Sequence, residues 1–183
     1  MENKQRWCAL YSQTGSELYE ITKNIQRIPN IIITNSQKEF NSIHNLIGNI
    51  IGTHLDRTIY FFSKKPRIED YRRVFRKFDL ITLHGWLNII PPEICNKFEI
   101  YNGHPGLIST FPQLKGFNPQ ERAYNLKLKE SGSVIHRVTA EVDAGEILME
   151  KKINIEGLSL KDIICKLHDT SINLWCDFLK EKL

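Results

Sequence analysis

Asp79-Leu80-Ile81-Thr82-Leu83-His84-Gly85 is an apolar run closed by a glycine, and Phe98-Glu99-Ile100-Tyr101 is a second, with a short helical turn from Pro91 to Asn96 between them. Continuous apolar runs separated by helical patterns mark strands covered on both faces, as in parallel β-α-β units. The same reading extends toward the N-terminus. Arg6 to Tyr11 is a short apolar run ending at Ser12-Gln13-Thr14-Gly15-Ser16, after which Leu18, Ile21 and Ile25 recur at helical spacing. Ile31-Ile32-Ile33-Thr34 is a β-branched strand; Phe40, Ile43, Leu46, Ile47 and Ile50 predict a helix, Thr58 to Phe62 a third strand, and Ile68 to Lys77 a basic helix. Beyond the fifth strand, Asn118-Pro119 opens a helix predicted to reach about Lys129, since proline suits a first helical turn. Ser133 to Val138 and Glu146 to Ile153 then read as an antiparallel hairpin, and from Leu158 an amphipathic pattern makes a long final helix with room for a bend near Asp169 to Ser171. The expected architecture is α/β: a doubly wound, mostly parallel sheet with a C-terminal β-hairpin and a long C-terminal helix, binding ligands beyond the carboxyl ends of its strands.

With 183 residues, 41% hydrophobic and 25% charged, the chain suits one globular domain over 1–183. No apolar run approaches the ~18 to 20 residues of a membrane span, and Met1 to Arg6 lacks the apolar region of a signal peptide, so a cytoplasmic location is expected. Cys8, Cys95, Cys165 and Cys176 form no C-x-x-C pair, which indicates reduced, mostly buried thiols and no metal site. A net charge of +4 is too small to argue for nucleic acid, although Lys64, Lys65, Arg67, Arg72, Arg73, Arg76 and Lys77 cluster. That cluster is either the solvated face of a helix or a surface for an anionic ligand; Tyr71, Phe75 and Phe78 within it lie at core spacing.

Chemistry concentrates in Tyr101-Asn102-Gly103-His104-Pro105-Gly106-Leu107 and in Glu141-Val142-Asp143-Ala144-Gly145-Glu146-Ile147. Asn102 and His104, two apart at the end of a strand, project to one side, because side chains alternate with a period of two. Asp143 lies in the turn after a later strand. An amide, an imidazole and a carboxylate suffice for acyl transfer without a covalent nucleophile: two donors for an oxyanion and a carboxylate to set the histidine charge. A capped surface turn is the competing interpretation for N-x-H-P alone. His168 reads as a packed or surface residue of the last helix, and His84 as hydrogen-bonded near the sheet edge.

Together with their flanks, these motifs resemble the formyltransferases that use 10-formyltetrahydrofolate, in which N-x-H-P is followed by H-x-V-x-x-x-x-D-x-G-x-I. Here the second half reads His136-Arg137-Val138-Thr139-Ala140-Glu141-Val142-Asp143-Ala144-Gly145-Glu146-Ile147. Leu10-Tyr11-Ser12-Gln13-Thr14-Gly15-Ser16-Glu17-Leu18 is similar to the phosphate-holding loop of the glycinamide ribonucleotide branch, with Glu17 where that branch has Asn. Backbone N–H groups at a helix start suit an anion, though Ser16 also reads as a simple N-cap. Leu83-His84-Gly85-Trp86-Leu87-Asn88-Ile89-Ile90 resembles the loop that lines the folate pocket. Gly106, where the ribonucleotide branch has Ser, is shared with relatives that formylate amino sugars.

The resemblance implies a Rossmann-like formyltransferase sheet and an enzyme. It makes Asn102, His104 and Asp143 catalytic, and places Trp86, Leu87, Asn88, Ile89, Val142 and Asp143 against 10-formyltetrahydrofolate as co-substrate. Thr14, Gly15, Ser16, Glu17, Pro105, Gly106 and His136 would meet the acceptor, with His136 and Ser133 as acceptor contacts or as support for the catalytic residues. The implied reaction is direct attack of a primary amine, on a nucleotide-linked amino sugar or glycinamide ribonucleotide, upon the formyl carbon. Hydrolysis of the folate and a degenerate folate- or nucleotide-binding module are the alternatives. Expected partners are the amine and the folate, with a homodimer open and neither membrane nor nucleic acid involved.

Overall fold

The computed structural model describes residues 5–35 and 59–183. The helix expected around Phe40 to Ile50 lies outside them. The described chain forms β1 (Trp7–Tyr11), α1 (Ser16–Ile25), β2 (Ile31–Thr34), β3 (Ile59–Phe61), α2 (Ile68–Phe75), β4 (Leu80–Leu83) and α3 (Pro92–Cys95). There follow β5 (Ile100–His104), a 3-10 turn (Pro112–Leu114), α4 (Pro119–Asn125), β6 (Glu130–Arg137), β7 (Ile147–Asn154) and α5 (Leu160–Lys182). One seven-stranded sheet runs in the order β3-β2-β1-β4-β5-β6-β7. The first five strands of that order are parallel, and β6 and β7 are antiparallel. The expected doubly wound sheet, hairpin and final helix are therefore all present.

Alternation on the strands builds a core on each face. On β1, Trp7, Ala9 and Tyr11 pack with Leu18, Ile21, Trp175 and Phe178 of α1 and α5, whereas Cys8 and Leu10 pack with Tyr71, Phe75 and Ile94 of α2 and α3. A third cluster, Leu107, Leu114, Ala123, Val134, Ile163 and Leu167, fastens the segment after β5 to α4, β6 and α5. The order reverses between β1 and β4, which opens a crevice beyond their carboxyl ends. There the Leu87 N–H donates to Ser12 Oγ at 3.0 Å, tying the loop after β4 to the loop after β1.

Several boundaries differ from expectation. α4 stops at Asn125 rather than near Lys129. Lys127 turns to φ 50°, and the Leu128 and Lys127 N–H groups donate to the Ala123 and Tyr124 carbonyls, a left-handed helix terminus with lysine where glycine is usual. The early stop lets β6 begin at Glu130. α5 runs uninterrupted, because Thr170 and Ser171 spend their hydroxyls on the Lys166 carbonyl and on Glu17 without breaking it. On α2, Tyr71 and Phe75 are buried, and Arg67 and Arg73 lie 4.0 and 3.5 Å from Asp70, so this basic stretch presents a solvated face over an aromatic core.

Gly103 separates Asn102 from His104 and faces the opposite side of β5, where a β-carbon would sit 2.4 Å from Trp175 Nε1. Glycine at this position lets the final helix close on the sheet directly behind the polar pair. Gly103→Ala is expected to lower unfolding free energy by about 1–3 kcal/mol through overpacking, read by urea denaturation; unchanged stability would show that Trp175 yields freely.

Candidate active site

β5 and β6 set the site by register. Asn102 pairs directly with His136 and His104 with Val134, so Asn102 Nδ2 donates to His136 Nε2 across the ladder at 3.1 Å. His136 Nδ1 lies 3.0 Å from the Arg137 carbonyl, an acceptor only, which assigns the hydrogen to Nδ1 and leaves Nε2 to accept in the neutral ring. The turn after β6 then brings in Asp143. Its Oδ1 lies 3.3 Å from His136 Nε2 and its Oδ2 3.2 Å from His104 Nδ1. The Gly116 N–H donates to the same Oδ2 at 2.8 Å.

The backbone of that turn is shaped for the purpose. Asp143 adopts φ 50°, a left-handed conformation that aspartate tolerates better than most residues. Two residues on, a β-carbon at Gly145 would fall 1.8 Å from the Arg137 carbonyl oxygen, so only glycine permits the chain to close on β6. Burial would raise the Asp143 pKa, but its contact with His136, the His104 charge and the Gly116 N–H prevail and bring it to about 2.

His104 is 5% exposed. Its Nε2 donates to the Leu114 carbonyl at 2.8 Å, while Nδ1 faces Asp143, so the proton that comes and goes is the one on Nδ1. Burial pulls its pKa below the ordinary histidine value, assisted by the charges of His136 and Arg122 and opposed by Asp143 and Leu114. Gly106 lets this ring lie close, since a β-carbon there would be 3.2 Å from Nε2.

The crevice residues divide. Leu87, Ile89 and Val142 are exposed and Asn88 is half-buried, whereas Trp86 belongs to the core, edge-on to Phe62 with ring centroids 6.4 Å apart, and does not form the pocket wall expected of it. His136 is 2% exposed with both nitrogens engaged, so it supports Asn102 and Asp143 instead of reaching out as an acceptor contact. Ser133 donates to the Leu167 carbonyl and is turned away from the site. Gly15, at φ 70°, is the N-cap of α1, and Ser16, expected in that role, is its first helical residue. Thr14 Oγ1 donates to Ser16 Oγ at 3.1 Å, and Ser16 Oγ meets His168 Nε2 at 3.4 Å, so His168 borders this loop. Glu17 points inward: Ser171 donates to Oε1 at 2.5 Å and His84 Nδ1 lies 3.3 Å from Oε2. Pro105 follows β5 directly, half-buried beside the buried Gly106. Sequence reasoning missed Leu114, Gly116 and Ser171, because backbone groups and one helix hydroxyl carry no motif.

Among the described residues no serine, threonine or cysteine is hydrogen-bonded to His104, His136 or Asp143. Oxyanion donors beside a fixed carboxylate are the groups that acyl transfer by direct attack requires. Residues 10–176 match the formyl transferase family, and the chain belongs to it. It is 39% identical over 94 residues to phosphoribosylglycinamide formyltransferase of Dictyostelium discoideum, a stretch covering 45% of this chain and 44% of that relative. With the trifunctional purine biosynthetic protein adenosine-3 of Gallus gallus it shares 32% identity over 171 residues, 84% of this chain and 16% of the relative. The crystal structure of phosphoribosylglycinamide formyltransferase from Anaplasma phagocytophilum superposes with a TM-score of 0.81 at 25% identity, covering 97% of this chain and 86% of that one. The chain thus spans less than half the length of the first of these curated relatives.

The Asp143 environment makes a stability prediction. Its folded pKa of about 2 lies below the unfolded value of ~3.9, so its contribution is fully present above that unfolded value and is lost as pH falls toward the folded one. That contribution is about 2.6 kcal/mol, of which about half is lost between pH 6 and pH 3. Denaturation at pH 6 and pH 3 should show the loss in the unaltered protein and a smaller one in Asp143→Asn; equal losses would contradict the assignment.

Proposed function

We propose that this protein transfers the formyl group of 10-formyltetrahydrofolate to the primary amine of a small phosphorylated metabolite, with glycinamide ribonucleotide the favoured acceptor. The observation that carries this reading is the Asn102, His104, His136 and Asp143 cluster at the parallel-to-antiparallel junction of the sheet. The names of the similar proteins favour glycinamide ribonucleotide over a nucleotide-linked amino sugar.

In this reading the folate lies along the exposed Leu87, Ile89 and Val142 and the half-buried Asn88. The acceptor enters past residues 14–16, and its neutral amine attacks the formyl carbon. Asn102 donates its amide hydrogen to the formyl oxygen, and His104, in its imidazolium form, donates from Nε2 to the oxyanion that develops. Asp143 compensates the imidazolium charge. With a pKa of about 2 it is a weak base, so the amine proton leaves through water beside it rather than resting on the carboxylate; as the intermediate collapses, the bond between the formyl carbon and N10 breaks, N10 takes up a proton through the same water, and tetrahydrofolate departs from the N-formylated acceptor. Because the imidazolium is the working form, turnover falls as pH rises through the lowered His104 pKa.

Tetrahydrofolate release, measured with glycinamide ribonucleotide, with nucleotide-linked amino sugars and without acceptor, tests the reading: turnover with an amine supports it, and release that ignores the amine points to hydrolysis. Loss of one oxyanion donor typically costs ~100- to 1000-fold in rate, so Asn102→Ala, His104→Ala and Asp143→Ala should each lose about that much turnover while retaining native circular dichroism. Near-normal rates in all three would exclude the mechanism.

A further inference from the structure

Arg122, on the first turns of α4, folds back over residues 112–116. Its Nη2 donates to two successive backbone carbonyls, Leu114 at 3.1 Å and Lys115 at 2.6 Å. The same short segment touches both members of the buried His104–Asp143 pair: the Leu114 carbonyl accepts from His104 Nε2, and the Gly116 N–H donates to Asp143 Oδ2. Gly116 at φ 82° and Asn118 at φ 52° supply the two left-handed turns that bring Arg122 back toward Leu114.

This geometry poses a problem for any reaction at His104. Its Nε2 is already committed to Leu114 O, and turning it to a substrate oxygen would strip a buried carbonyl of a donor. An unsatisfied buried acceptor costs roughly as much as the hydrogen bond it loses. Leu114 O has a second donor in place, however, and that donor is Arg122.

We propose that Arg122 is a positioning residue for the His104–Asp143 pair: it clamps residues 114–116 against both side chains, and it keeps the Leu114 carbonyl hydrogen-bonded when His104 Nε2 turns to the formyl oxygen. The second part rests on the formyl-transfer reading; the first does not. Charge acts in the same place. His104 is faced by Asp143 from the turn after β6, by His136 from β6 and by Arg122 from α4, and the Arg122 cation is one of the influences that lower its pKa.

The test uses the full chain with Arg122→Gln, which removes the charge and the fork of donors, and Arg122→Lys, which keeps the charge. Two quantities are read: kcat and KM for 10-formyltetrahydrofolate across pH, and the titration of His104 followed by NMR of protein labelled with 15N-histidine. Arg122→Gln is expected to lose about 10- to 100-fold in kcat with little change in KM. Its His104 midpoint should rise, with the alkaline limb of the kcat profile moving the same way, and its Nε2 resonance should shift as the bond to Leu114 weakens. Arg122→Lys should hold the midpoint near that of the unaltered protein and recover part of kcat. A change in melting temperature alone, with kcat, midpoint and Nε2 resonance as in the unaltered protein, would overturn the proposal. If the unaltered protein shows no formyl transfer, that reading falls, and the Nε2 resonance and midpoint still decide whether Arg122 holds the pair.

Discussion

A buried carboxylate needs polar partners, and Asp143 has three, from three separate segments of chain. His104 comes from β5, His136 from β6 and the Gly116 N–H from the loop before α4. With its side chain only 9% exposed, the anion would be costly in any arrangement that left one of these partners out. The turn after β6, the β5–β6 register and the path of residues 112–118 are therefore mutually dependent. The left-handed backbone of Asp143 is a local cost of the arrangement, and Gly145, with no β-carbon, is what lets the turn close on β6.

A second buried carboxylate organises the other side of the crevice. Glu17 follows the Gly15 cap, where a charge facing the open helix end would compete with any anionic ligand. It instead turns inward to Ser171 and His84. His84 continues the chain to Thr82 Oγ1 at 2.8 Å, and Thr82 accepts from Trp7 Nε1, also at 2.8 Å. With one lone pair taken by Trp7, the Thr82 hydroxyl is oriented to donate to His84 Nε2, and the histidine then donates from Nδ1 to Glu17. Burial alone would raise the Glu17 pKa; the bonds from His84 and Ser171 and the nearby His168 leave it lowered. The substitution of Glu for Asn in this loop is thus absorbed by α5 and β4, and the Ser16 hydroxyl remains at the rim beside His168.

The sequence revealed most of this where side chains follow a period or a fixed spacing. Apolar runs gave the parallel strands, and the two-residue spacing of Asn102 and His104 put them on one face. The spacing from His136 to Asp143 marked the turn, and the resemblance tied the two halves together. What stayed hidden is of three kinds. Lys127 ends α4 in a conformation that glycine would have announced, so the helix was drawn too long. Trp86 looked like a pocket wall, but its neighbour Leu87 is the residue that faces out, a difference of one position that only tertiary packing decides. The partners of His104 Nε2 and of Asp143 Oδ2 are main-chain groups of Leu114 and Gly116, which no residue identity encodes.

Those main-chain partners explain why the site stands at the junction between parallel and antiparallel strands. Within a uniform ladder every backbone N–H and C=O is spent on a neighbouring strand. After β5 the chain leaves the sheet, and residues 105–118 return across its end with polar groups still to be satisfied. One carbonyl settles on His104 and one amide on Asp143, so the loop's own need for partners fixes those two side chains, while Leu107 and Leu114 anchor it in the apolar cluster with Val134 and Leu167. The sheet sets which side chains meet; the loop sets how His104 and Asp143 are held once they do.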